Sequence, residues 1–294
     1  MLDAQSLVDA VALGSLYALV AVGVALVFGV LRIVNFAHGE LITAGAYALV
    51  LTDEYGSLVA IVVCLAVVIA LALLLDRALR PLRGYGAATI LVATFAVSFL
   101  LQSIALLAFG GQGNNVSVLP ELNRAVHVGD VDIRWVSIVS IVLTLFLLAG
   151  TGLVLNRTSI GLQMRAAATD FRAARILGIR TNLVIALAFV IGAVMAACVS
   201  VLLAVQAPFV YPTFGANILI PALIGVVVGG IDRLRTATLG AFAIGFSTSL
   251  LGELLNSAHR VYLDSYVFLL VIVVLLVRPE GLFSPFRAGT VERV

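Results

Sequence analysis

The chain has 294 residues, of which 63% are hydrophobic and only 11% charged, with a formal net charge of +2. Its mean hydropathy is +1.21, whereas a soluble domain carries about 25% charged residues. Those values exclude a soluble globular protein, and the near-zero charge gives no electrostatic case for nucleic acid.

Apolar runs of about 20 residues recur along the chain, each long enough to cross about 30 Å of hydrocarbon as a helix. They predict one all-α, polytopic transmembrane domain over residues 1–294, with eight to nine spans. The alternating segments of about 10 residues that a β-barrel would need are not visible. The first span, 6–29, has no basic region before it; Asp3 and Asp9 are acidic. It therefore reads as a retained helix rather than a cleaved leader. Gly14, Ala18, Ala21, Ala25 and Gly29 place small residues at four-residue spacing, suited either to packing within the chain or to a subunit interface.

Next comes Val34-Asn35-Phe36-Ala37-His38-Gly39-Glu40, which crowds Asn, His and Glu in front of the second span, 37–54. Polar groups are costly in lipid, so this cluster must sit at a membrane face or line an internal path. The arginine pattern described below puts it at the cytoplasmic edge. There Asn35 would cap a helix and Glu40 would favour its first turn, or the cluster would line a gate. A proton relay has less support, since no further acid or His continues it mid-span.

The third and fourth spans cover 57–75 and 86–108. Thr94, Ser98 and Gln102 recur at i, i+4 and i+8, one helix face. Such a stripe must face protein or water, as a solute path or as interhelical hydrogen bonding. A Gly/Asn-rich connection of mixed charge, 110–134, reads as an external loop before the fifth span, 135–155. Cys64 and Cys198 lie in apolar runs and read as small buried hydrophobes.

Residues 156–182 are too short and too polar to span. Met164, Ala167, Phe171, Ala174 and Gly178 form an apolar helical stripe, with Arg165, Arg172 and Arg175 supplying basic charge. Such a helix lies on lipid or docks into a partner's groove. Spans at 183–205, 217–230, 237–256 and 263–277 complete the chain; the second and seventh are short enough to be broken or re-entrant. Ser249 and Glu253, near the outer end of the eighth, fit the interface better than a pathway.

Arginine sets the orientation, since positive residues favour the cytoplasm. Arg77, Arg80 and Arg83; Arg157 through Arg180; Arg233 and Arg235; and Arg278, Arg287 and Arg293 all fall inside if the N-terminus is external and the C-terminus cytoplasmic. Gly45-Ala46-Tyr47-Ala48-Leu49 is similar to Gly240-Ala241-Phe242-Ala243-Ile244, a possible internal repeat of the kind transporters use. No Walker A, HExxH or GxSxG sequence is present, so an enzymatic role has no motif behind it.

Several of these segments together resemble a known family. Gly14-Ser15-Leu16-Tyr17-Ala18-Leu19, Val34 through Glu40 and Gly45-Ala46-Tyr47 closely resemble the LivH-type permeases of branched-chain amino acid ABC transporters. Thr94 through Gln102 resembles that family's fourth-span region, and Arg278 through Phe283 its C-terminal end. Gly161 through Ala166, Asp170, Ala173-Ala174 and Leu177-Gly178-Ile179 resemble its ATPase-contacting loop. Ala173, Ala174 and Gly178 keep the interval of the broader EAA motif, with Arg172 in place of its acidic residue.

The resemblance implies a non-catalytic permease half in a bacterial inner membrane, without a cofactor of its own. It would work with a second, related permease, two cytoplasmic ATPases that bind the ATP, a periplasmic or extracellular solute-binding protein and membrane lipid. It implies ATPase docking through Met164, Arg165, Asp170, Phe171, Ala173, Ala174 and Gly178. Asn35, His38, Glu40, Thr94, Ser98 and Gln102 become candidates for the translocation path or gate. Leucine, isoleucine and valine lead as solutes, with urea, amides, other amino acids and aromatic acids as alternatives. The rival classes are an ion-coupled carrier, which needs carboxylates near mid-membrane, and a membrane enzyme.

Overall fold

The structure, a computed structural model, describes residues 4–128, 131–231, 233–256, 258–278 and 281–283, with the side chains of Val128, Val131, Phe171 and Arg172 outside the description. Residues 4–31 carry no proline, and their apolar side chains point in every direction. A helix of that kind is buried on all sides. It forms α1 (Ala4–Leu31), the axis of the bundle, around which α5 (Trp135–Arg157), α8 (Thr181–Gln206), α9 (Phe214–Gly229) and α10 (Leu234–Leu254) pack. The small residues of α1 serve this packing: Gly14 lies against Phe242 of α10.

α2 (His38–Thr52) is enclosed by α3 (Ser57–Leu79), α8 and α9. α4 (Ala87–Phe109) and α11 (Leu263–Val277) complete the outer layer. Their outward faces remain apolar, with Phe95, Phe99 and Leu107 of α4 and Phe146 of α5 exposed. Water would penalise such patches; lipid does not. Polar side chains inside the bundle bond to backbone across helices. Thr144 donates to the Ser15 carbonyl at 3.2 Å and Ser200 to that of Ile42 at 2.9 Å.

Each predicted span is a helix. Among the described residues, seven helical segments are long and apolar enough to cross a membrane. α2 and α9 have 15 and 16 residues. At 1.5 Å per residue they reach about 22–24 Å, short of about 30 Å of hydrocarbon. Pro221 sits inside α9 without breaking it.

At the arginine-rich end, α6 (Ser159–Thr169) and α7 (Phe171–Ile176) form an elbow between α5 and α8. At the opposite end the 110–134 connection is folded over the bundle. Its strand β1 (Asn114–Asn115) pairs antiparallel with β4 (Phe209–Val210), and β2 (Ala125–Val128) pairs with β3 (Val131–Arg134). The Ser117 and Leu119 N–H groups donate to Asp53 and Ser57. There too, Glu253 meets Arg260 at 3.3 Å, both half-exposed, which agrees with an interfacial position.

Candidate functional site

After α1 ends at Leu31, the chain turns at the exposed Arg32, at φ +57°. It re-enters the bundle, and α2 starts only at His38. The His38 ring is buried against Gly23 of α1 and Gly192, near the midpoint of α8. A Cβ at Gly23 would lie 2.7 Å from His38 Nε2, so only glycine leaves room for the ring. Glu40 is also buried. Its carboxylate accepts from Ser98 Oγ at 2.9 Å and from Gln102 Nε2 at 2.8 Å, and Ser98 is the midpoint residue of α4. The cluster therefore lies deep in the bundle, not at the membrane edge that the arginine pattern indicates. The arginines locate an end of the chain's path, and the six-residue return from that end has the same polarity as a surface turn.

The expected cap is also displaced. The N-cap position of α2 belongs to Ala37. Asn35 Oδ1 instead accepts from the Ala37 N–H at 3.1 Å, while its Nδ2 is buried without a hydrogen-bond partner. The Phe36 N–H reaches Thr94 Oγ1 at 3.4 Å, and the Phe36 and Phe95 rings meet edge to face at 6.0 Å. The α4 stripe thus faces the string as a unit: Thr94 touches one end of it, Ser98 and Gln102 the other.

α9 comes to the same point from the opposite side. A Cβ on Gly215 would overlap the Gly39 carbonyl oxygen and stand 2.9 Å from Ile42 Cβ. The first turns of α2 and α9 meet backbone to backbone. The Gly215 N–H donates to Thr43 Oγ1 at 2.9 Å.

Two cavities flank this junction. One, of about 310 Å³, runs from Glu40 and Thr43 past Tyr47 toward the end of α2, walled by α3 and α4. Its walls are apolar apart from the α2 residues. The other is a crevice of only about 10 Å³, room for a single water at most; it lies toward the arginine-rich end and is lined by Asn35, Thr94 and Arg83 together with apolar side chains of α1, α3, α4 and α8. The Asn35–Glu40 string separates them.

On the elbow, the apolar stripe turns inward. Met164 is 2% exposed, and Ala167 and Ala174 are likewise buried, on elements that pack against α1, α5 and α8. Met164 and Ala174, expected as docking residues, are thus covered by the chain itself. A helical period identifies a face but not what covers it, and here the chain covers its own. The free apolar surface is the opposite one, with Leu162, Ile176 at 86% and Leu177 at 80% exposed. Arg165 and Asp170 lie on the exposed side and Ala173 is half-buried. Arg165 donates to the Leu155 carbonyl, and Asp170 Oδ1 accepts from the Ala173 N–H at 2.9 Å. Gly178, at φ +82°, has open space around it and turns the chain toward α8. The Phe171 side chain lies outside the described residues.

One cluster has no counterpart among the candidates read from sequence. Asp76, at the arginine-rich end of α3, is buried, its side chain 2% exposed. It pairs with Arg83, 12% exposed, and with Arg80 at 3.3 Å. Arg83 also donates to Asn182 Oδ1 at 3.3 Å, in the first turn of α8 just beyond the elbow. The sequence signal was Asp76 itself, a carboxylate closing an apolar run ahead of the three arginines used only for orientation.

A bundle of membrane-length apolar helices enclosing a buried polar turn is a polytopic helical membrane protein. The model of the family "Branched-chain amino acid transport system / permease component" matches residues 6–277, and the chain belongs to that family. It is 33% identical over 298 residues to the high-affinity branched-chain amino acid transport system permease protein BraD of Pseudomonas aeruginosa, covering 95% of both chains. It is equally 33% identical, over 95% of both, to the permease protein LivH of the Escherichia coli high-affinity system. The fold also matches PsaBC from Streptococcus pneumoniae, solved in complex with a Fab. There the TM-score is 0.51 at 17% identity, over 92% of this chain and 89% of that one.

Proposed function

We propose that this protein is the permease half of an ATP-driven importer for branched-chain amino acids, coupled to separate ATPases through its elbow. The observation carrying this reading is the end-to-end 33% identity to two permeases named for that transport. The elbow supports it: Leu162, Ile176 and Leu177 offer an apolar surface that the chain itself leaves uncovered, of the kind a groove on a partner takes up. Asn35 through Glu40, with Thr94, Ser98 and Gln102, form the gate between the two cavities. A second permease, a solute-binding protein and two ATPases complete the assembly, and the N-terminus lies outside.

The test is uptake of radiolabelled leucine by proteoliposomes holding the full assembly. Uptake should require ATP and the binding protein, and should persist without an ion gradient. The mid-depth position of Glu40 favours one other reading, an ion-coupled carrier, because such carriers need an acid there. Uphill uptake by this chain alone, driven by a proton or sodium gradient, would establish that reading and end the first.

A further inference from the structure

The larger cavity holds a buried carboxylate whose hydrogen-bonding neighbours, Ser98, Gln102 and Thr43, are all neutral. A carboxylate removed from water needs a cation or a full set of donors to stay ionised. These neutral groups and the N-terminal turn of α2 provide part of that stabilisation and fix the carboxylate's position at the deep end of the cavity. Tyr47, two turns along the same face of α2, lines the cavity as well, its ring stacked on that of Phe109 at 4.0 Å. The remaining walls, including Val67, Leu101 and Ile104, are apolar. At about 310 Å³, the space sits at the lower end of the range for small-molecule sites, about 300–1,000 Å³.

We propose that this cavity is the permease's own solute subsite, in which Glu40 takes the α-ammonium group of a zwitterionic amino acid and the walls of α3 and α4 take its apolar side chain. The inference rests on the reading of the chain as an amino acid permease and specifies which of its residues hold the solute. Selection by the ammonium group would act here in addition to any selection by a binding protein.

The experiment is equilibrium binding of radiolabelled leucine to the purified permease–ATPase complex without its binding protein, with competition by 3-methylbutylamine and by 4-methylpentanoate. Leucine should bind saturably, the amine should compete, and the ammonium-free acid should not. Glu40→Gln should weaken binding by about 10- to 100-fold, the equivalent of one charge-assisted hydrogen bond. Ser103→Ala, on α4 but outside the cavity lining, should leave it unchanged. Absence of saturable binding overturns the proposal, as does the acid competing as well as the amine. Full affinity in Glu40→Gln overturns it too. If that variant fails to fold, the competition series on the unaltered complex still decides. Uptake in proteoliposomes separates the two levels. ATP-driven leucine uptake undiminished in Glu40→Gln removes the subsite and leaves the importer, whereas an unaltered assembly that moves no amino acid removes both.

Discussion

Replacing Arg83 with Met tests the ion-pair cluster that joins α3 to the start of α8. Asp76 is buried, and Arg83 is its better-buried partner. Removing one member of a buried pair leaves an uncompensated charge, at a cost of about 3–5 kcal/mol. Here Arg80 stays 3.3 Å from Asp76, but its side chain is 46% exposed, and a solvated partner recovers only part of the loss. The expected destabilisation is therefore about 2–4 kcal/mol, or about 3–6 °C in apparent melting temperature for a chain of this size. The methyl-terminated chain of Met keeps the volume, so packing contributes little. The double variant Asp76→Leu/Arg83→Met removes both charges and should return most of that loss, to within about 1 kcal/mol of the original. Melting of the purified complex in nanodiscs, followed by tryptophan fluorescence or a thiol-reactive dye, supplies the readout. A single variant that melts with the original protein, or a double variant as weak as Arg83→Met, refutes the view that Asp76 depends on Arg83.

Other outcomes follow from close contacts and exposed surfaces. Gly215→Ala should destabilise by about 1–3 kcal/mol, because the added methyl group overlaps the Gly39 carbonyl. Gly29→Ala, in the last turn of α1 with nothing within 4 Å, should instead be neutral or gain up to about 0.5 kcal/mol. The same melting assay compares them. Gly23→Ala should cost a similar 1–3 kcal/mol by pressing on the His38 ring, roughly as overpacking does elsewhere, and His38→Ala in the same chain should relieve most of it. Equal losses in the single and double variants would mean the ring is not what fills that notch. On the elbow, Ile176→Asp with Leu177→Asp should abolish co-purification with the ATPase at unchanged melting temperature. Met164→Glu should lower the melting temperature first, since it buries a charge.

Sequence alone places the helices well because a 20-residue apolar run permits few other structures in lipid. The stripe Thr94, Ser98 and Gln102 was equally legible: period fixes the face, and lipid forbids that face outside. Depth was not legible. Nothing in Ile33 through Ala37 distinguishes a return into the bundle from a surface turn. What permits the return is tertiary, namely the notch left by Gly23 and Gly192 and the meeting of Gly39 with Gly215. The elbow is hidden for a related reason. Its apolar period gives the helix face, but whether Met164 and Ala174 meet a partner or their own chain depends on where α5 and α8 lie. The pairing of Asp76 with Arg83 was hidden because arginine counting treats each cation as a topology signal and ignores what it touches.

The placement of α4 suggests how the proposed gate would be worked. α4 is a peripheral helix that packs chiefly against α2 and α3. Its polar attachments to the string are the Phe36 N–H to Thr94, and Ser98 and Gln102 to Glu40. At about 0.5–1.5 kcal/mol for a neutral bond and 1.5–3 for one to a charge, these sum to about 4–7 kcal/mol. Carrying a two-state element from 1:99 to 99:1 takes about 5.5 kcal/mol, so a wall held this strongly is within reach of a nucleotide-driven shift and is not loose at rest. The elbow has a physical route to it. Beyond Gly178 the chain enters α8, where Asn182 holds Arg83, and Arg83 lines the smaller cavity beside Asn35 and Thr94. Displacing the start of α8 thus changes that cavity's wall directly, while Glu40 and the larger cavity lie beyond the string. In the proposed importer this arrangement lets the elbow release one side of the string before the other, the order that alternating access requires.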